Sequence, residues 1–269
     1  MSRLETVLEK AALRRNPQSA SPLPEDRSQG RKQMNRLLET PPLSVTSPYV
    51  PTAQSVRNPG VNEEFHKLRS RLIRMTRGDR FRNTLLVTSA VSGEGKSISA
   101  LNLAISLAQE YDYTVLLVDA DLRKPSIHQY LGIDPEVGLV QCLSGEVTLD
   151  QALIKTGLGK LVFLPAGGIV ENPVELLSSS RMKAIIQEVK ERYPERYVVF
   201  DSPPMLPFAD AQVLSESVDG VLFVVREGCS KIEAVRQSLE VLETGKLLGL
   251  VYNDSRNDST SQQGRYAYY

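Results

Sequence analysis

The chain has 269 residues, 41% of them hydrophobic and 24% charged, with a formal net charge of zero. That composition suits one α/β domain plus some unstructured sequence. Two cysteines without CxxC spacing argue against a disulfide framework or a zinc site, and two histidines, His66 and His128, exclude a multi-histidine metal centre.

No apolar run approaches the ~20 residues that cross a bilayer, and the first residues lack the basic-then-apolar pattern of a leader, so a cytoplasmic protein is expected. Charge is uneven along the chain. Residues 1–80 carry 15 Lys/Arg against 8 Asp/Glu, a net +7, and the remainder is −7. The plain interpretation is a solvated basic segment; the functional one is attraction to an anionic membrane surface or an acidic partner. Nothing resembles a nucleic-acid module.

Residues 1–13 place Leu4, Val7, Leu8, Ala11 and Leu13 at helical spacing, a short amphipathic helix that needs a partner at this length. From Arg14 to Gly60 the chain mixes Pro, Ser, Gln and Asn, with five prolines between Pro41 and Pro59, and is expected to be a disordered linker. Helical spacing returns over Val61–Met75. Beyond Asn83, apolar strands at Thr84–Val87, Val115–Val118, Leu161–Leu164, Val198–Phe200, Val221–Val225 and Leu248–Val251 alternate with amphipathic helices at Lys96–Gln109, Ser179–Tyr193, Ala209–Ser215 and Lys231–Leu242. This predicts an α/β fold, a mainly parallel sheet covered on both faces. The polar stretch after residue 253 is expected to be a flexible tail. The expected organisation is thus residues 1–60 as helix and linker, 61–253 as the domain and 254–269 as the tail.

Three segments carry chemistry. Gly93-Glu94-Gly95-Lys96-Ser97 follows a strand and opens a helix, which fits a phosphate-binding loop. Its glycines let backbone N–H groups face phosphate oxygens; Lys96 would reach the β/γ-phosphates and the Ser97 hydroxyl would join a magnesium shell. The usual first glycine of this motif is Ala90. Asp119 and Asp121 end the strand Val115–Val118 at i, i+2, so both can project alike; a carboxylate there can hold magnesium or accept a proton from a hydroxyl. Arg123 could steady a carboxylate or a phosphate. Asp201 ends the strand before Ser202-Pro203-Pro204 and suits a second magnesium-side carboxylate.

Together these segments resemble the bacterial tyrosine kinases of exopolysaccharide and capsule export, in their cytoplasmic autokinase form, over roughly Val61–Asn253. Gly93–Ser97 matches the Walker A motif, Val118–Arg123 the extra Walker A′ motif and Phe200–Pro204 the Walker B motif. The resemblance implies a P-loop NTPase-type three-layer fold and ATP and Mg2+ as nucleotide and cofactor. Gly93, Glu94, Gly95, Lys96, Ser97 and Ile98 would bind the nucleotide, with Asn253 at the adenine edge unless it is a common strand-end turn residue. Asp119 would take the tyrosine proton beside Lys96 and Asp121, while Ser97, Asp121 and Asp201 would arrange magnesium. Glu63, His66 and Arg69 correspond to an E-x2-R-x2-R subunit-joining signature in which His66 replaces the first arginine. Three-residue steps place them on one helix face for a homo-oligomeric ring.

Three of the ten tyrosines, Tyr266, Tyr268 and Tyr269, fall in the last four residues and would be the autophosphorylation sites. The implied partners are a membrane chain-length determinant (a polysaccharide co-polymerase) as activator, a tyrosine phosphatase and other copies of the chain. The protein would then sit peripherally at the inner face of the plasma membrane through that activator. The rival is a partitioning or cell-division P-loop ATPase; those proteins place a lysine where this chain has Val91. A scaffold that binds nucleotide without turnover is the third class. A eukaryotic-type kinase is excluded because H-R-D and D-F-G motifs are missing.

Overall fold

A computed structural model describes Val50 and residues 59–255, apart from 79, 193, 194 and 244. The expected helix over 1–13, most of the linker, and the tail tyrosines Tyr266, Tyr268 and Tyr269 lie outside the described residues.

In chain order the elements are α1 (Pro59–Thr76), β1 (Thr84–Ser89), α2 (Lys96–Ala108), β2 (Thr114–Asp119), α3 (Ile127–Leu131), α4 (Leu139–Ser144), α5 (Leu149–Ala152), β3 (Ile154–Lys155), β4 (Leu161–Leu164), α6 (Pro173–Leu177), α7 (Ser180–Glu191), β5 (Arg196–Asp201), α8 (Asp210–Ser217), β6 (Gly220–Arg226), α9 (Ile232–Glu240) and β7 (Leu247–Asn253). The predicted strands and long helices are all found, each within a few residues of its expected ends. Pro59 and Gly60, expected in the linker, open α1. A proline costs nothing in the first turn, where its missing N–H would be unpaired anyway.

The strands form one sheet in the order β3-β4-β2-β5-β1-β6-β7. All pairs are parallel except β3 with β4. Strands β1, β2, β4 and β5 are buried along their whole length, as continuous apolar runs covered on both faces must be. The order places β5 between β1 and β2, and the register sets Asp201 beside both Val87 and Asp119. Three segments far apart in sequence therefore meet at the carboxyl ends of adjacent strands, where open α/β sheets bind ligands.

Helix α2 departs from its expected amphipathic character. Apart from its first residue and Ile98 it is buried on every face, because α1 lies across its outer side while β1, β2 and β5 contact its inner side. Helix α1 is thereby part of the domain. Leu72 and Thr76 are buried, Phe65, Leu68 and Ile73 pack on the core, and the Thr76 hydroxyl meets the Tyr197 hydroxyl at 2.6 Å. Tyr197 packs edge-on to Phe81 and Tyr113, each with ring centroids 5.0 Å away. Burial pushes the Tyr197 phenol up to about 12. Helices α3 to α6 and strand β3 have no counterpart in the sequence-based expectation. They are two to six residues long, too short for a 3.6-residue period to register.

Asp219 ties the amino-terminal edge together. It accepts from the backbone N–H groups of Asn83 and Thr84 and from the Thr84 hydroxyl, and it pairs with Lys190 at the end of α7. Burial pushes its pKa up, but Lys190 and Thr84 outweigh that and hold it below the ordinary carboxylate value. Asp219→Asn is expected to cost about 2 kcal/mol at pH 7. The stabilisation from a lowered pKa is complete above the unfolded value of about 4 and is lost as pH falls through the folded value. The gap in urea midpoint between wild type and variant should therefore narrow as pH falls below about 4; a gap that stays constant from pH 7 down through that range would contradict this assignment.

Candidate functional site

The loop between β1 and α2 begins with backbone that only glycine adopts readily: φ is 87° at Gly93 and 89° at Gly95. A Cβ on Gly95 would stand 2.1 Å from the Asn253 Nδ2 atom, so a side chain there would be strained by torsion and would displace Asn253. Just past Gly95, Lys96 and Ser97 start α2. The Lys96 Nζ lies 2.7 Å from the Asp121 Oδ2 and 3.2 Å from the Ser97 Oγ. Burial favours the neutral amine, but Asp201, Asp121 and Asp119 together outweigh it and raise the pKa of Lys96. The lysine is thus firmly cationic.

Asp119, Asp121 and Asp201 are all buried. Asp119 accepts through Oδ2 from the N–H groups of Ser126 and Ile127, each at 3.2 Å; its Oδ1 has no hydrogen-bond partner. Burial, then the charge of Asp201, pushes Asp119 well above the usual carboxylate range, against the pull of those two N–H groups. Asp201 is pushed up to about 6 by burial, with Lys96 and the Ser97 hydroxyl opposing. Neither Asp201 oxygen has a well-formed hydrogen bond.

Three buried carboxylate oxygens without a well-formed hydrogen bond, with the Ser97 hydroxyl close enough to lower the Asp201 pKa, fit a hard divalent cation such as Mg2+. No three His, Cys, Asp or Glu side chains among the described residues form a metal cage by themselves. Mg2+ is compatible with that, since it commonly keeps waters and takes phosphate oxygens alongside one or two carboxylates.

The sequence-predicted residues divide into those the fold brings together and those it does not. Gly93, Glu94, Gly95, Lys96, Ser97, Asp119, Asp121 and Asp201 gather at the ends of β1, β2 and β5, with Ile98 half-buried in the first turn of α2. Asp119 and Asp121 do not project alike: one turns to the start of α3, the other to Lys96. Arg123 is bound to buried Asp210 through Nε at 2.5 Å and a second nitrogen at 3.2 Å, and its guanidinium lies 4.1 Å over the Phe208 ring. It steadies Asp210.

Asn253 turns to the loop backbone, donating to the Glu94 carbonyl at 3.0 Å. On α1, exposed Glu63 and half-buried His66 are 4.0 Å apart. Arg69 points inward instead, donating to the Ser106 carbonyl at 2.8 Å and pairing with Glu110 at 2.7 Å. The three do not share one exposed face, because a 300° advance over three residues, repeated, walks the third side chain off the stripe. Asp210, Arg226 and Ser230 were not predicted; their partners lie 87 to 136 residues away, and no local pattern marks them.

The model of the AAA domain matches residues 83–247. The tyrosine-protein kinase YwqD of Bacillus subtilis is 35% identical over 238 residues, covering 88% of this chain and 95% of that protein. The succinoglycan biosynthesis transport protein ExoP of Rhizobium meliloti is 36% identical over 188 residues, 68% of this chain but only 23% of that longer protein. Among solved structures, the kinase domain of the Escherichia coli tyrosine kinase ETK is similar with a TM-score of 0.69 and 31% identity, covering 75% of this chain and 79% of that one. Structures of McdA, of a MinC:MinD cell division complex, of the septum site-determining protein MinD and of a ParA family ATPase match at 20–24% identity, which shows a shared fold alone.

Fold and loop together define a P-loop NTPase-like α/β protein of the AAA class. With the extent and identity of these matches, the chain belongs to the bacterial tyrosine-protein kinase family.

Proposed function

We propose that this protein is an ATP-dependent tyrosine autokinase that modifies its own carboxyl-terminal tyrosines and thereby regulates polymerisation or export of an extracellular polysaccharide. The observation that carries the reading is the buried group of Lys96, Asp119, Asp121 and Asp201 at the mouth of a phosphate loop, in a chain 35% identical to a named tyrosine kinase.

The loop N–H groups and Lys96 hold the β- and γ-phosphates of ATP and offset charge that develops on their oxygens. Ser97, Asp121 and Asp201 would hold Mg2+, which supplies neutralisation of phosphate charge when bound. Asp119 accepts the phenol proton. The tyrosine oxygen bonds to the γ-phosphorus, and the bond to the β–γ bridging oxygen breaks, releasing ADP. The raised pKa of Asp119 makes it a stronger base than an ordinary carboxylate, which suits a phenol donor.

The acceptor would reach this site from another copy, on the tail. Tyr197 and Tyr113 are buried in the aromatic cluster, whereas Tyr266, Tyr268 and Tyr269 stand within the last four residues. Each phosphate adds about −1.5 to −2 charges, which would loosen an assembly of P-loop domains that are already acidic. Replacing all three tail tyrosines with Phe should remove most phosphotyrosine after incubation with Mg-ATP. Mass spectrometry that finds it undiminished, for example on exposed Tyr111 or Tyr252, would overturn the tail assignment and leave the kinase reading standing.

Residues 61–253 would form the kinase domain, the preceding sixty residues a helix and linker, and 254–269 the acceptor tail. Other copies would join through Glu63 and His66, with Arg69 bracing α1 on α2 from within. An activator at the membrane, of the chain-length-determinant class, accords with ExoP, where the matched segment is a quarter of a larger transport protein. No helix among the described residues is long and apolar enough to cross a membrane, so association with the inner face of the plasma membrane would run through that partner. A tyrosine phosphatase would reverse the cycle. The partitioning-ATPase alternative is disfavoured by Val91, whose N–H serves Glu94 and whose side chain is no lysine.

A further inference from the structure

Glu94 is the least expected residue of the phosphate loop. A glutamate between two glycines on a surface loop would ordinarily face solvent, yet it is fully buried. Its Oε2 accepts from the Val91 N–H at 2.8 Å, closing the loop on itself across three residues. Its Oε1 accepts from the Ser230 hydroxyl, which reaches in from the segment between β6 and α9. Ser230 in turn accepts from the Arg226 N–H at 2.8 Å. Arg226 extends its guanidinium to the Gly93 carbonyl at 3.0 Å and to Asp254 at 2.8 Å. On the far side, Asn253 holds the Glu94 carbonyl. The loop is thus gripped at Gly93, at one oxygen of the Glu94 side chain and at the Glu94 carbonyl by residues at or just past the ends of β6 and β7, while the second side-chain oxygen holds the loop's own Val91 N–H.

These contacts have a consequence for catalysis. Transition-state stabilisation by a phosphate loop depends on N–H groups that already point at the phosphates, so that no reorganisation is needed when charge develops. Gly93 and Gly95 supply the necessary torsions, but glycine also gives the loop many others. Something must select among them. We propose that Ser230 and Glu94 form a side-chain clasp that fixes the phosphate loop in its binding shape, which makes Ser230 a positioning residue for phosphoryl transfer although it lies 136 residues from the loop and outside every nucleotide-binding motif. The inference rests on the reading of this loop as the ATP site. Removing the Ser230 hydroxyl leaves one Glu94 oxygen buried without a donor, and the loop relaxes toward conformations that bind phosphate less well.

The test is calorimetric titration of the full chain with Mg-ADP, alongside steady-state kinetics with Mg-ATP. Ser230→Ala should weaken Mg-ADP binding about tenfold, a loss of one hydrogen bond to a charged group. Ser230→Thr, which keeps the hydroxyl, should restore binding to within about threefold on the same scale. KM for ATP should rise more than kcat falls, because the groups touching the γ-phosphate are unchanged. Glu94→Ala combined with Ser230→Ala should be no weaker than Glu94→Ala alone, since that change already removes the partner of the Ser230 hydroxyl. Thermal melts without nucleotide check that each variant folds.

Wild-type affinity in Ser230→Ala, equal loss in Ser230→Thr, or additive losses in the double variant would each overturn the clasp. Failure of the wild-type chain itself to bind Mg-ADP would instead bring down the ATP-site reading on which the clasp rests.

Discussion

Lys96→Met is expected to reduce tyrosine phosphorylation by at least about 10³-fold, because in the proposed mechanism the ammonium offsets the charge that develops on the transferring phosphoryl group. Methionine keeps much of the length and apolar stem, so the loop is not emptied. Asp121 loses the counter-ion now 2.7 Å away and keeps only the Lys124 N–H, and a buried carboxylate without its counter-ion is destabilising. The variant should therefore melt at a lower temperature while remaining folded at 25 °C. Incorporation of γ-labelled phosphate, measured with a parallel thermal melt, separates the two effects. Undiminished labelling in a folded Lys96→Met protein would remove this loop from the chemistry.

Asp119→Asn is the second large effect, and it has the opposite stability signature. The amide cannot take a proton from the phenol, so the rate should fall by about 10²- to 10⁴-fold, the range for loss of a general base. One oxygen remains to accept from Ser126 and Ile127, and an NH2 replaces the unpartnered Oδ1. One of two facing buried acids is also neutralised. The melting temperature should hold or rise. A rate loss with a preserved fold identifies the residue as acting on the reacting atoms, and full labelling would take it out of the base role.

The loop and its three carboxylates were legible in the sequence because each is a local signal. Glycines at 93 and 95 precede a lysine and a hydroxyl, and Asp119 and Asp201 each close an apolar strand, with Asp121 two residues on. What spacing could not give was their convergence. Asp119 and Asp201 are 82 positions apart and become neighbours only because β5 inserts between β1 and β2. Long-range pairs were equally out of reach: nothing near Arg123 announces Asp210, and nothing near Glu94 announces Ser230. Periodicity also misjudged two helices. It left α2 with a polar face because Ser99, Asn102 and Ser106 recur along it, yet all three are buried, Ser106 against α1. It set Arg69 beside Glu63 and His66 on α1, although Arg69 is the side chain that fastens the two helices together.

Phosphopeptide mapping after incubation of the purified chain with Mg-ATP, with and without a membrane activator, tests the central claim most directly. Transfer to a phenol predicts ADP release matched by phosphotyrosine, concentrated on the peptide that carries Tyr266, Tyr268 and Tyr269. Steady release of inorganic phosphate with no modified tyrosine, even in the presence of the activator, would contradict it.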